Sequence, residues 1–249
     1  MNSPRYILAS AALSILSLSA CSSAPGKPSK NSEIPAPSEV TDFRTLYAEN
    51  CAACHGSDGR GGAAIALADP VYLAVADDAS MRKVVANGVP NTSMPAFAQS
   101  AGGMLTSKQV EIILTGMRSH WSRPGILDGA NPPAYRAKSA GDARQGEVVY
   151  RTYCAACHGT QGQGTPKGSA ITNDSFLALV SDQGLRTIVI TGRPELGAPD
   201  WRRNVPGKPM TNQEITDVVA WMASYRVPNP GQPYTASTYA QKQESNHGH

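Results

Sequence analysis

Cys154-Ala155-Ala156-Cys157-His158-Gly159 repeats, residue for residue, the earlier stretch Cys51-Ala52-Ala53-Cys54-His55-Gly56. Two cysteines separated by two residues and followed at once by histidine form the attachment signature of a c-type haem. Both thiols become thioethers on the porphyrin edge, and the imidazole ligates the iron. The spacing has a physical basis: thiols one helical turn apart span one edge of a flat macrocycle, and the adjoining histidine carries its ring beneath the metal. Small alanines between the thiols let the ring lie against the backbone. Cys-x-x-Cys alone also suits a redox dithiol or half of a zinc site. A thioredoxin-like dithiol belongs in an α/β pattern, and zinc needs a closed four-ligand set in each half; the sequence offers neither. The expected cofactors are two haem c groups, held by Cys51, Cys54, Cys154 and Cys157, with His55 and His158 as iron ligands.

A chain of 249 residues with this duplication reads as two domains of about a hundred residues each. Domains that small, with few aromatics, have modest cores, and a buried haem adds apolar surface. The net charge of +3 and the lack of a long basic stretch give no reason to expect nucleic acid as a partner. Residues 1–20 read as a secretory signal: Arg5 in a short leader, then an apolar run from Ile7 to Leu18 that is short for a membrane span. Leu18-Ser19-Ala20-Cys21 resembles the lipobox of bacterial lipoproteins, which implies that Cys21 is lipidated and becomes the mature N-terminus. The expected location is therefore a bacterial membrane, with the protein anchored through lipid on Cys21 and facing the periplasm or the outside of the cell. The five cysteines are all used by these assignments, and no thiol is left for a disulfide.

Residues 21–40 are rich in Pro, Ser, Lys and Ala and read as an extended tether. The first domain is expected over 41–124. Phe43, Leu46 and Tyr47 lead into the first motif, a glycine-rich loop follows, and Thr106 with Gln109 opens a last helix striped by Val110, Ile113, Leu114, Met117 and Trp121. Residues 125–138 read as the interdomain linker, and 139–228 repeat the plan. Val149, Tyr150 and Tyr153 precede the second motif; Phe176, Leu177 and Leu179 form a middle patch; Leu185, Ile188 and Val189 stop at Gly192. Thr211 and Glu214 open the final helix with Ile215, Val218, Val219 and Met222. The offset between halves grows only from 103 to 105 residues, so both read as one fold. Residues 229–249 read as a polar tail, with His247 and His249 solvated.

Helix, Cys-x-x-Cys-His-Gly, glycine loop, two short helices, a Met-Pro loop and a final helix together resemble the class I cytochromes c, over about residues 41 to 227. The resemblance implies an all-α fold of two tandem domains, each wrapped around one covalently attached haem. It also implies a methionine as sixth iron ligand from the loop before the last helix, and Met94 in Ser93-Met94-Pro95 matches. The second half departs from this pattern, because Ala198 in Gly197-Ala198-Pro199 stands where the methionine is expected. Three readings stay open there. Met210 swings in through a longer loop, or the iron is five-coordinate or water-bound, or a histidine, lysine or more distant group ligates. Met210 also aligns with Leu105, an apolar position before the helix cap. Tyr47, Tyr150, Trp121, Trp201 and Trp221 are candidates to pack near the haems, and Arg193, Arg202 and Arg203 are propionate candidates by charge alone.

The resemblance implies an electron carrier: a membrane-anchored di-haem cytochrome c shuttling single electrons between respiratory-chain partners. Those partners would be a quinol-oxidising complex such as alternative complex III, a terminal oxidase or other cytochromes. No catalytic residue is expected, since no acid, base or nucleophile constellation has a supporting context. The alternatives are a haem enzyme or small-ligand sensor using an open sixth position on the second haem, and a structural subunit stabilised by its haems.

Overall fold

The computed structural model describes residues 35–227. The expected signal, Cys21, the tether up to residue 34 and the tail lie outside those residues. By its contacts the chain divides into a unit ending at Glu39 and one beginning at Val40. In the first, a 3-10 turn over Pro37–Glu39 is closed by the Glu39 carboxylate, which accepts the Ala36 N–H at 2.9 Å.

The second unit is helical, and the described residues hold no β-strand beyond three isolated bridges. Its first half runs α1 (Phe43–Asn50), α2 (Ala52–His55), α3 (Pro70–Val75), α4 (Asp78–Asn87) and α5 (Ser107–Trp121). The second half repeats the series as α6 (Ala143–Tyr153), α7 (Ala155–His158), α8 (Asp174–Leu179), α9 (Asp182–Thr191) and α10 (Asn212–Ala223). The all-α, two-domain expectation holds.

Apart from the two motif turns, whose N-caps Cys51 and Cys154 make no side-chain cap bond, the α-helices begin where the sequence supplies a cap. The Asp42, Asp69, Asp77, Asn173 and Ser181 side chains accept backbone N–H bonds from α1, α3, α4, α8 and α9, satisfying donors that the first helical turn leaves unpaired. Pro70, which has no N–H to leave unpaired, starts α3. Both expected capping boxes form, Thr106 with Gln109 and Thr211 with Glu214. α4 and α9 end on Gly88 and Gly192, whose φ values of 68° and 67° only glycine adopts readily.

The stripe of α5 is buried at Val110, Ile113, Leu114 and Met117, and that of α10 at Ile215, Val218, Val219 and Met222. First and last helices of each half cross closely because one of them lacks a side chain. A Cβ on Gly116 of α5 would lie 2.1 Å from the Phe43 ring, and one on Gly146 of α6 would lie 2.0 Å from the Asp217 carbonyl oxygen. The middle of the second half differs from the apolar pattern. Leu179 is 55% exposed, and α9 buries Leu185, Arg186, Thr187 and Ile190 while Ile188 and Val189 are only half-buried.

The expected linker explains that rotation. Arg186 is buried, and its guanidinium donates to the Ala134 carbonyl at 2.7 Å, to the Tyr135 carbonyl, to Asn212 Oδ1 at 2.6 Å and to Thr216 Oγ1 at 2.9 Å. Gln183 also donates to the Tyr135 carbonyl at 2.8 Å. The Tyr135 ring meets Tyr72 edge-on at 6.3 Å, and Arg136 donates to Ser80 Oγ at 3.0 Å. One short segment is thus bonded to both halves. Val71 of α3 is buried in the core of the second half, so the halves also share apolar packing.

Candidate haem centres

The motif at Cys51 is set by the helix before it. α1 ends at Cys51, whose N–H still reaches the Tyr47 carbonyl at 2.8 Å, and α2 then carries Cys54 and His55 round a single turn. Gly56, at φ 85°, stops that turn; a Cβ there would lie 1.7 Å from the Arg60 carbonyl oxygen. The Tyr47 hydroxyl donates to the Gly56 carbonyl at 3.0 Å, and Tyr150 donates to the Gly159 carbonyl in the second half. The two tyrosines therefore clamp the end of each motif helix. Trp121 packs edge-on against Tyr47 at 5.0 Å, and Trp221 stacks on Tyr150 at 4.0 Å.

Both histidines are oriented in one way. His55 Nδ1 lies 2.8 Å from the Ile65 carbonyl oxygen, and His158 Nδ1 lies 2.7 Å from that of Ser169. A carbonyl only accepts, so Nδ1 carries the proton and Nε2 keeps the lone pair that an iron requires. Burial holds the His55 imidazole below its ordinary pKa of 6.5, which keeps it neutral and able to ligate. The cysteines fit covalent attachment better than thiol chemistry. All four are free of disulfides, Cys54 and Cys157 are exposed, and burial pushes the Cys51 thiol up to about 11 and the Cys154 thiol up to about 12. A reactive dithiol needs the opposite shift. Among the described residues no cluster of three or more His, Cys, Asp or Glu has the arrangement of a metal-ion site. The donor set therefore fits a haem bound through thioethers and an imidazole.

Met94 stands on the loop between α4 and α5. That loop is stitched to α4 by Phe97 N–H to the Val85 carbonyl at 3.2 Å and Ala98 N–H to the Ala86 carbonyl at 3.1 Å. Gly88 packs so tightly beneath Met94, Pro95 and Ala96 that a Cβ would lie 2.6 Å from their backbone. Ile65, which orients His55, and Phe97, three residues past Met94, pack against the same core of the first half. Histidine and methionine loops therefore border one interior.

The corresponding loop of the second half has the same backbone frame with other side chains. Val89 N–H bonds the Met94 carbonyl at 3.0 Å, and Arg193 N–H bonds the Ala198 carbonyl at 3.0 Å, so Ala198 occupies the place of Met94. Leu105 N–H bonds the Phe97 carbonyl at 2.7 Å, and Met210 N–H bonds the Trp201 carbonyl at 2.9 Å, so Met210 occupies the place of Leu105. Met210 is 3% exposed within the core of its half, and Asn204 Nδ2 lies 3.8 Å from its sulfur.

Two of the three arginines read as propionate candidates, Arg193 and Arg202, have side-chain partners in the protein. Arg193 donates to the Gly62 carbonyl at 2.9 Å, while Arg202 pairs with Asp200 at 2.7 Å and donates to the Ile126 carbonyl at 2.9 Å. Arg203 lines a cleft of about 430 Å³ between the halves together with Arg60, Asp69, Glu195 and Arg202. Arg186 escaped the sequence reading altogether. Its charge within α9 reads as solvated surface, and only the return of residues 134 and 135 buries it.

This chain is similar to known proteins. The chain matches the family described as cytochrome c oxidase, cbb3-type, subunit III, over residues 38–113 and 141–222, one segment for each half. A cbb3-type cytochrome c oxidase subunit CcoP of Azospirillum sp. (strain B510) is 34% identical over 132 residues, 49% of this chain and 40% of the relative. The CcoP subunit of Azospirillum brasilense is 31% identical over 137 residues, with the same shares of 49% and 40%. That of Cereibacter sphaeroides is 26% identical over 187 residues, 71% of this chain and 58% of the relative. The chain thus spans about half the length of the curated relatives it matches. With a Cys-x-x-Cys-His turn, an oriented histidine and the same five helices in each matched segment, the chain belongs to the cbb3-type cytochrome c oxidase subunit III family and is an all-α, di-haem c-type cytochrome of two tandem domains.

Proposed function

We propose that this chain is an exported, lipid-anchored electron-transfer protein that passes single electrons to or from a terminal oxidase. Respiratory partners further upstream would be a quinol-oxidising complex or another cytochrome. The observation that carries the reading is the matched pair of histidines, each with Nδ1 on a loop carbonyl at 2.7–2.8 Å, in a chain of the cbb3 subunit III family. The bound haem supplies a reversible one-electron ferric–ferrous couple. Cys51 and Cys54, then Cys154 and Cys157, would hold the two groups. His55 and His158, with Nε2 left free to ligate, would bind the irons, and Met94 would supply a further ligand to the first. The tyrosine clamps keep each motif helix in place, so little rearrangement accompanies the change of charge. The domains divide as 41–124 and 139–228 around the linker 125–138. Lipid on Cys21 anchors the chain; among the described residues no helix is long and apolar enough to cross a membrane.

A second reading is supported by the register of the second loop. Ala198 stands in the place of Met94 and Met210 in that of Leu105, so the chain would supply no loop methionine there, and a haem held by Cys154, Cys157 and His158 would be free to take a small ligand such as carbon monoxide or nitric oxide. Mass spectrometry of the mature protein from a host competent in cytochrome maturation tests the main reading. Two haems on the lipidated chain are expected, falling to one in Cys154→Ala/Cys157→Ala; a colourless protein overturns it. A carbon monoxide difference spectrum then separates the readings: binding at one haem of two supports the open site, and no binding leaves Met210 or another side chain as ligand.

A further inference from the structure

Arg193 lies where the two halves both differ and meet. Its counterpart in the first half is Val89, which makes the same backbone bond and has no polar side chain to extend. Arg193 reaches across the boundary between halves: Nη2 donates to the Gly62 carbonyl at 2.9 Å while Nε pairs with Glu195. Both side chains are largely buried, 15% and 19% exposed. Gly62 rests directly on the first attachment motif, since a Cβ there would lie 2.2 Å from the Cys54 carbonyl oxygen; that oxygen also accepts the Ala64 N–H at 2.9 Å. At its other end Arg193 exchanges two backbone bonds with Ala198, each of 3.0 Å. One residue therefore links the turn that carries Cys54 to the loop that replaces Met94 in the second half. Two departures from the repeat, Val89 against Arg193 and Met94 against Ala198, are thus bonded to each other in the second half.

We infer that Arg193 is a positioning residue that couples the two haem sites, tying the thioether loop of the first to the sixth-ligand loop of the second. With haems held at both motifs, Arg193 would fix one of the contacts between the two sites; a reversible one-electron exchange there would transfer no atom or proton. The guanidinium suits the task because one planar fork serves Glu195 and the Gly62 carbonyl at once, which an ammonium cannot do in the same geometry. The inference rests on the reading above that each motif carries a haem.

The test uses the full-length, haem-loaded protein with Arg193→Val, the residue of the first half, and Arg193→Lys. Native-state amide exchange at Ala64 is expected to accelerate about tenfold or more in Arg193→Val, as a charge-assisted bond to its loop is lost. Redox titration resolved by haem is expected to show the first midpoint potential shifted downward, because Glu195 is left without its cation and favours the ferric form. Arg193→Lys retains the charge and restores the potential. Glu195→Gln, which leaves Arg193 in place, moves the first potential upward and covers the case in which Arg193→Val does not fold. Unchanged exchange at Ala64 together with unchanged potentials in a protein that carries both haems overturns the inference and leaves the function reading intact. A protein without haem fails the function reading, while exchange at Ala64 still reports on the bond.

Discussion

Replacing Arg186 by alanine should loosen the molecule far more than its place in a charged helix implies. The guanidinium is 2% exposed and has four acceptors: the Ala134 and Tyr135 carbonyls, Asn212 Oδ1 and Thr216 Oγ1. Two of these retain a donor in the variant, because Gln183 still reaches Tyr135 and Ala134 N–H still reaches Asn212. The Ala134 carbonyl then has no donor from α9, at a cost of about 1–3 kcal/mol, and bonds from a charged donor are lost at about 1.5–3 kcal/mol each. Against this, the variant no longer desolvates a guanidinium, which returns several kcal/mol. At the low end of these ranges the net is a loss of about 3 kcal/mol, or roughly 6–12 °C in Tm for a chain of this size. Thermal unfolding of the haem-loaded protein by circular dichroism measures it. Arg186→Lys should recover less than half, since one ammonium cannot span acceptors on α10 and on the linker together. A fall in Tm below about 2 °C for the alanine variant would refute the view that this side chain holds the linker to the second half.

Other outcomes follow from the same geometry. Met94→Ala should open the first haem to carbon monoxide and lower its potential while Arg186 and the linker are undisturbed; a spectrum and potential like those of the parent would remove Met94 as ligand. Met210→Ala should cost about 2–5 kcal/mol in denaturant unfolding, as expected for a buried methionine; if Met210 is also the ligand, the absorption of the second haem changes in the same variant. Gly56→Ala should block accumulation of the first haem, because the new methyl would lie 1.7 Å from the Arg60 carbonyl oxygen, and mass spectrometry should find one haem fewer. Asp77→Ala should cost about 1 kcal/mol at neutral pH. The Ser80 hydroxyl and N–H hold the Asp77 carboxyl below its ordinary 3.8, so its stabilisation is present above that value and is lost as pH falls through the lowered one. Urea unfolding should therefore show the full difference at pH 7 and show it shrinking as pH falls below 3.8.

Much of this molecule is fixed by short-range chemistry that a sequence displays. Cys51, Cys54 and His55 sit on one turn because their two spacings put them there, and Gly56 ends that turn because no other residue fits beside the Arg60 carbonyl. The caps at Asp42, Asp69, Thr106 and Thr211 act within three residues of themselves, and the stripes of α5 and α10 follow helical periodicity. Tertiary structure alone decided what depends on residues distant in the chain. The carbonyls that orient the histidines belong to Ile65 and Ser169, whose side chains give no hint of it. Arg186 is buried by a segment some fifty residues away, and Arg193 is drawn from surface charge into a bond with Gly62 of the other half. Backbone carbonyls carry no sequence signature, and a guanidinium's partners are set by which loops the packing of Val71 and Tyr135 brings within its reach.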